Sequence, residues 1–323
     1  KQLFDYLESE LKAIDNDLLD RTACEYGRAS RSAAHALLAR LYLNAEVYTG
    51  TARWTDCITY CNRILTAGYT LEDNYALLFN ADNHLRTNEI IYAFPVDSER
   101  TMTWGATTYI ICGSINNTSD TQLPTDYGVP SGWGSFRLRG EFPNLFDAND
   151  GRAMFYTEGQ TQSVDVVESQ SNGYLSEKWT NLTDAGEAGS PSNDGSASTD
   201  FPVFRLADVY LMLAEAVVRG GEGSTALGYV NELRMRAFGN DSGNISDGQM
   251  TVDFILDERA RELYMECVRR TDLIRYGKFT TAVYLWQWKG GTITGQAVDD
   301  KFNIYPIPST ELTANPNLYN ENY

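Results

Sequence analysis

The chain has 323 residues, 42% hydrophobic and 22% charged, enough for one large domain or two ordinary ones with a sizeable core. A formal net charge of −18 excludes the basic face that nucleic acid or an anionic membrane surface would need, and a neutral ligand fits best. Five scattered cysteines and only two histidines, His35 and His84, give little material for a disulfide framework, a zinc site or a His-based triad.

Apolar positions Phe4, Leu7, Leu11, Ile14 and Leu18 share one helical face, so residues 3–19 read as a helix. Opening inside such a pattern suggests that an upstream portion is missing. Ser30 is placed to cap a helix from Ser32 to Tyr48, whose alanines let a neighbour approach closely. A second helix runs from Trp54 to Leu65. Cys57 and Cys61 lie one turn apart on it and are expected to pack rather than bond. Residues 70–200 read as mostly irregular, with short strands at Ile90–Pro95 and Tyr109–Cys112 and a flexible loop at Asp184–Asp200. Another helical hairpin follows, Arg205–Val218 and Thr225–Ala237, broken at Gly220-Gly221. Each hairpin approaches the ~34 residues of a tetratricopeptide unit. A long helix is expected over Val252–Arg270, with Leu256, Ala260, Leu263, Tyr264 and Cys267 inward. Its charged side, with Arg259/Glu262 and Glu266/Arg270 at helical spacing, reads as an ion-pair ladder rather than an acid–base pair. The C-terminal part holds Trp286, Trp288 and the rigid Tyr305-Pro306-Ile307-Pro308, a segment suited to sealing a helical face.

Between Trp104 and Trp133 lies TWGATTYIICGSINNTSDTQLPTDYGVPSGW, dominated by Ser, Thr, Asn and Gly, yet carrying two indoles with Tyr109 and Tyr127. Two readings fit. The indoles either plug a loop onto its scaffold, or form a platform on which the apolar face of a sugar ring lies while nearby polar groups bond its hydroxyls.

Four ordered segments, SRSAAHALLARLYLNAEVYTG at 30–50, FPVFRLADVYLMLAEAVV at 201–218, ERARELYMECVRRTDLIRYGKF at 258–279 and YPIPSTELTANPNL at 305–318, resemble the SusD/RagB family of cell-surface glycan-binding lipoproteins, most closely its starch-binding founding member. The resemblance implies a mainly α fold: a tetratricopeptide-like scaffold (1–68 and 201–279), a loop-rich glycan-binding region (69–200) and a C-terminal sealing segment (280–323), together one domain (1–323) lacking its N-terminal part. It also implies no catalysis, and α-glucan delivery to a SusC-like TonB-dependent transporter at the outer membrane. Membrane attachment would run only through an N-terminal lipid anchor absent from this chain. Trp104-Gly105 with Thr108-Tyr109, and Gly132-Trp133, match the family's aromatic-arc motifs, which makes Trp104 and Trp133 the expected glycan platform, with Tyr127 as an accessory. The family's calcium loops correspond to Asp82–His84 and Ser198–Asp200. His84 and Ser198 stand where acids would be needed, so a retained calcium is not expected.

Two other readings compete. A glycoside hydrolase needs two carboxyl groups facing across a pocket, and nothing in the sequence pairs Asp120, Asp126 or Glu141. A scaffold that contacts only the transporter is the other.

Overall fold

The computed structural model describes residues 1–189 and 195–320. Two compact units divide it, Lys1–Arg269 and Arg270–Tyr323. Among the described residues no helix is long and apolar enough to cross a membrane.

The first unit opens with α1 (Gln2–Ala13), which buries Phe4 and leaves Leu3, Tyr6 and Leu7 exposed. Helix α2 (Arg31–Leu43) begins where Ser30 Oγ accepts from the Ala33 N–H. It stops five residues before the expected Tyr48. Asn44 donates its side-chain amide back to the Arg40 carbonyl at 2.8 Å, competing with the helical pattern. A separate short helix, α3 (Ala45–Thr49), follows and ends at Gly50, which adopts a left-handed conformation.

Helix α4 (Trp54–Leu65) completes the first hairpin by packing on α2 through Cys57, Ile58, Cys61 and Ile64, and both thiols are free and buried as expected. The second hairpin is α6 (Leu206–Val218) with α7 (Leu227–Phe238). Every residue of α6 from Leu206 to Ala216 is buried, because α2, α4, α7 and α8 (Val252–Leu263) all pack against it. The two hairpins therefore bury each other's apolar faces through α6.

Strand β1 (Ile90–Phe94) pairs antiparallel with β4 (Phe201–Arg205), with Ile90 opposite Arg205 and Phe94 opposite Phe201. Between them, β2 (Phe155–Tyr156) and β3 (Leu175–Ser176) make a second, minimal ladder. The expected strand at Tyr109–Cys112 is instead the middle of α5 (Ala106–Gly113). Its run of Tyr, Ile, Ile and Cys satisfies either period. The helix wins because Ile111 and Cys112 enter a second core with Tyr75, Leu78, Phe79 and Trp179 while Tyr109 turns outward.

The run expected as a flexible loop at 184–200 is split. Residues 190–194 lie outside the described residues, whereas Ala197, Thr199 and Asp200 are buried, and Thr108 Oγ1 accepts from the Ala197 N–H at 2.9 Å.

The expected helix over Val252–Arg270 is also broken. It ends at Leu263, Tyr264 is extended, Met265 and Cys267 adopt left-handed φ, and α9 (Arg269–Arg275) starts anew. Buried donors claim the carbonyls at the break. Lys178 Nζ donates to Glu262 O (3.2 Å), Tyr264 O (2.7 Å) and Glu266 Oε1 (2.6 Å), while Arg205 and Tyr75 also donate to Glu262 O. Cations at a helix C-terminus are favourable for the same reason that the terminal carbonyls lack partners. The charged side of α8 also pairs extensively with residues outside the helix. Glu262 bonds Arg152, Arg205 and Arg236; Glu258 bonds Arg152, Arg234 and its neighbour Arg261; and Arg259 reaches Asp208 on α6.

The second unit contains the rest of α9, short turns and α10 (Ser309–Ala314). Its loop over 278–298 converges on Lys289, which is buried and donates to the carbonyls of Lys278, Thr281 and Tyr284.

Candidate functional site

Helix α5 is the base of the site. Its buried side holds Thr107, Thr108, Ile111 and Cys112 in the interior. Its outer side presents Tyr109, 42% exposed. At its first residue, Ala106 takes a left-handed φ of +50°, which turns the chain sharply out of Trp104-Gly105.

The C-terminal carbonyls of α5 and the turn after it need partners. The segment 133–136 supplies them: Trp133 N–H donates to Cys112 O (2.7 Å), Gly134 N–H to Ile115 O (2.8 Å) and Phe136 N–H to Gly113 O (2.8 Å). Two glycines allow this approach. A Cβ on Gly132 would lie 2.5 Å from Ile115 Cγ2, and one on Gly113 would lie 2.7 Å from the Phe136 ring.

The result is a continuous aromatic group. Trp104 and Trp133 lie 5.9 Å apart between ring centres with planes tilted by 52°, and Tyr109 lies 5.9 Å from Trp133 at 42°. Phe136 supports Tyr109 edge-on at 4.8 Å. The Trp133 indole N–H donates to Ser131 Oγ at 3.1 Å, which fixes the ring's direction. Trp104 remains 60% exposed. The structure thus brings together the two indoles singled out in the sequence and adds Tyr109 and Phe136. Tyr109 was masked by the strand assignment: its outward direction follows only once the segment is helical. Phe136 carries a weak signal, standing three residues after Trp133.

Tyr127 is not part of this group. It is 8% exposed, packs in the second core, and donates its hydroxyl to Glu177. Burial and the Glu177 carboxylate both push its phenol well above the ordinary range.

The two loops matched to calcium do meet, but through an amide. Asn83 accepts from the Asp200 N–H (3.1 Å) and donates to the Asp200 carbonyl (2.9 Å). The Asp200 carboxylate accepts from Tyr26 OH and from the Val96 N–H, both at 2.7 Å, and Asp82 accepts from the Asp184 N–H at 2.8 Å. Both Asp200 carboxylate oxygens and one oxygen of Asp82 thus already accept a hydrogen bond within the fold. Among the described residues no group of three or more His, Cys, Asp or Glu is placed to hold a metal ion.

The buried acids do not suit acid–base chemistry either. Burial alone would raise Glu258, but Arg152, Arg261 and Arg234 hold it down at about 2. Arg236, Arg205 and Arg152 hold Glu262 lower still against the same desolvation. A general acid at neutral pH needs the opposite shift.

The sequence profile of the SusD family matches residues 153–323. The Starch-binding protein SusD of Bacteroides thetaiotaomicron is 34% identical over 373 aligned residues, covering 100% of this chain and 65% of that protein. The SusD-like protein P25 of Formosa agariphila is 39% identical over 119 residues, 36% of this chain and 22% of its own length. The chain thus spans less than two thirds of the curated relatives it matches. Among solved structures, Surface glycan-binding protein A from Bacteroides thetaiotaomicron in complex with laminarihexaose superposes with a TM-score of 0.78 at 21% identity, covering 100% of this chain and 71% of that one. A SusD superfamily protein from Parabacteroides distasonis gives 0.71 at 22% identity, covering 98% and 67%. These structural likenesses establish the mainly helical SusD-like fold.

Proposed function

The chain belongs to the SusD family of non-catalytic glycan-binding proteins, and from that premise we propose that it holds starch-like α-glucan oligosaccharides on the rings of Trp104, Trp133 and Tyr109. In this reading the protein sits at the outer-membrane surface and delivers the glycan to a SusC-like TonB-dependent transporter. Tyr127 acts from behind, as a support for the loop rather than a ligand contact.

The observation that carries the reading is the exposed, tilted set of rings. Indoles left in water on a rigid backbone frame lose contact energy that a sugar face restores. Tilts of 52° and 42° between neighbouring planes suit a chain that curves as it passes from ring to ring. An α-1,4-glucan curves in this way, and so does a β-1,3-glucan. A flat β-1,4 ribbon meets only one such plane at a time. Identity to the Starch-binding protein SusD along the whole chain favours the α-glucan. The laminarihexaose in the structurally similar protein makes β-1,3-glucan the second reading.

Calorimetric titration with maltoheptaose, laminarihexaose and a soluble xylan tests this. Heat is expected from the curved glucans and not from xylan. Trp104→Ala or Trp133→Ala should each weaken binding roughly thirtyfold, about 2 kcal/mol. Unchanged affinity in both variants would sink the site assignment, and equal binding of xylan would sink the argument from curvature.

A further inference from the structure

The unit Arg270–Tyr323 carries a second set of rings built like the first. Trp286 is flanked by Tyr284 at 6.3 Å and 55°, and by Phe279 at 6.1 Å and 31°. Trp133 is flanked by its two neighbours at 5.9 Å and 52° and at 5.9 Å and 42°. Both sets therefore consist of a central indole between two tilted rings about 6 Å away, and Phe279, Tyr284 and Trp286 are all half-buried.

The set extends past Phe279. The Arg270 guanidinium lies 5.0 Å from the Phe279 ring and 4.0 Å from the Tyr305 ring, and it donates to the Phe302 carbonyl at 2.7 Å. Tyr305 is 76% exposed. A phenol stacked on a cation that is itself tied to the backbone keeps its orientation without being covered.

The loop beneath is cross-tied from within by one buried cation. The Lys289 ammonium lies 4.4 Å from the Trp286 ring centre while holding three loop carbonyls at 2.6–3.1 Å. A Cβ on Gly295 would lie 2.4 Å from the Trp286 carbonyl, so glycine is what lets the returning strand of the loop pass. Little conformational freedom is then lost when a ligand settles on the rings.

We propose that the strip Tyr284, Trp286, Phe279, Arg270 and Tyr305 is a second binding surface for a neutral glucan chain. Tilted rings, with a guanidinium offering N–H donors between them, give a sugar both the apolar face and the hydroxyl partners it needs. The net charge of −18 disfavours an anionic polymer. The inference rests on the proposed glucan binding for the class of ligand, but on none of the residues of the first platform.

The test is the stoichiometry of maltoheptaose and of laminarihexaose on the whole chain by calorimetry, in the unaltered protein, in Trp104→Ala/Trp133→Ala, and in Tyr305→Ala. Two sites are expected for at least one of these glucans. One of them should survive the double substitution, and Tyr305→Ala should weaken that surviving site roughly tenfold. Tyr305 is exposed enough for its removal to leave the fold intact, and a thermal melt of each variant checks this. A single site abolished by the double substitution and untouched by Tyr305→Ala overturns the second surface and keeps the first. A single site that ignores the double substitution and is lost with Tyr305→Ala overturns the first and supports the second. Two sites that both ignore Tyr305→Ala, or no binding of either glucan, overturn the inference.

Discussion

Glu262 and Trp104 are both costly residues to place. One is a carboxylate with no exposure, the other an indole 60% exposed to water. Around Glu262 the cost is answered within the chain, by Arg152, Arg205 and Arg236, while Lys178, Arg205 and Tyr75 take the carbonyl of the same residue. Around Trp104 most of it is left unanswered: the ring lies against Trp133 and most of its surface stays open to solvent. A saturated cluster has nothing left to offer a ligand and serves the fold. A bare surface held on a fixed frame is where an outside molecule gains most. The difference separates two groups that a list of chemically conspicuous residues would treat alike.

The largest test of this contrast is Arg205→Leu. It leaves Glu262, Glu266 and Glu89 short of a partner in the interior, so unfolding free energy should fall by about 3–5 kcal/mol, read by chemical denaturation. A loss below about 1 kcal/mol would mean that the cluster is looser than its geometry implies.

Acid comes next. Glu258 and Asp208 are each held at about 2 in the fold, Asp208 by Arg259 and Arg40 against the opposing effect of burial. Their folded values lie below the ordinary 4.5 and 3.8, so their contribution is fully present above those values and disappears as pH falls toward 2. Thermal midpoints should drop steeply across that window. Lys178 works the other way: burial lowers it to about 8. It penalises the fold in full below pH 8, and the penalty fades as pH climbs from 8 toward 10.5, so raising pH across that window removes no stability through this group. Glucan affinity should stay level between pH 5 and 8, because neither indole titrates.

Removing an indole is the third effect, about 2 kcal/mol of binding. For Trp104→Ala stability should move by no more than about 0.5 kcal/mol, as for other exposed positions. Gly132→Ala should cost about 1–2 kcal/mol of stability, since the new methyl meets Ile115. It should also weaken glucan binding severalfold by displacing Trp133. The smallest effect is Tyr127→Phe. Losing the bond to Glu177 should cost about 1 kcal/mol of stability and leave glucan affinity unchanged. A clear loss of affinity would return Tyr127 to the ligand surface.

Much of the scaffold was legible because α2, α4, α6 and α7 repeat their apolar residues at helical spacing with clear stops. The break after Leu263 was not, because its cause lies in Lys178 and Arg205, distant in sequence and close only after folding. The partners of Glu258 and Glu262 were hidden for the same reason. Local spacing offered Arg259 to Glu262 and Arg270 to Glu266, whereas the fold supplied Arg152, Arg205, Arg234 and Arg236 to Glu258 and Glu262. At the site, Trp104 and Trp133 stood out as indoles in a polar stretch. Tyr109 needed the period of α5 to be read correctly, and in a run of four apolar residues that period is ambiguous.

Main-chain hydrogen bonds tie Trp133, Gly134 and Phe136 to the end of α5. The backbone positions are thereby decoupled from the identity of the rings, and only the Ser131 bond that directs Trp133 depends on the indole itself. Replacing Trp133 with Tyr or Phe keeps every bond of that frame while changing the width of the surface it displays. Gly113 and Gly132 are the positions where change is expensive. Such a partition makes the site evolvable: a lineage exposed to a new glucan can exchange one aromatic at a time without renegotiating the fold.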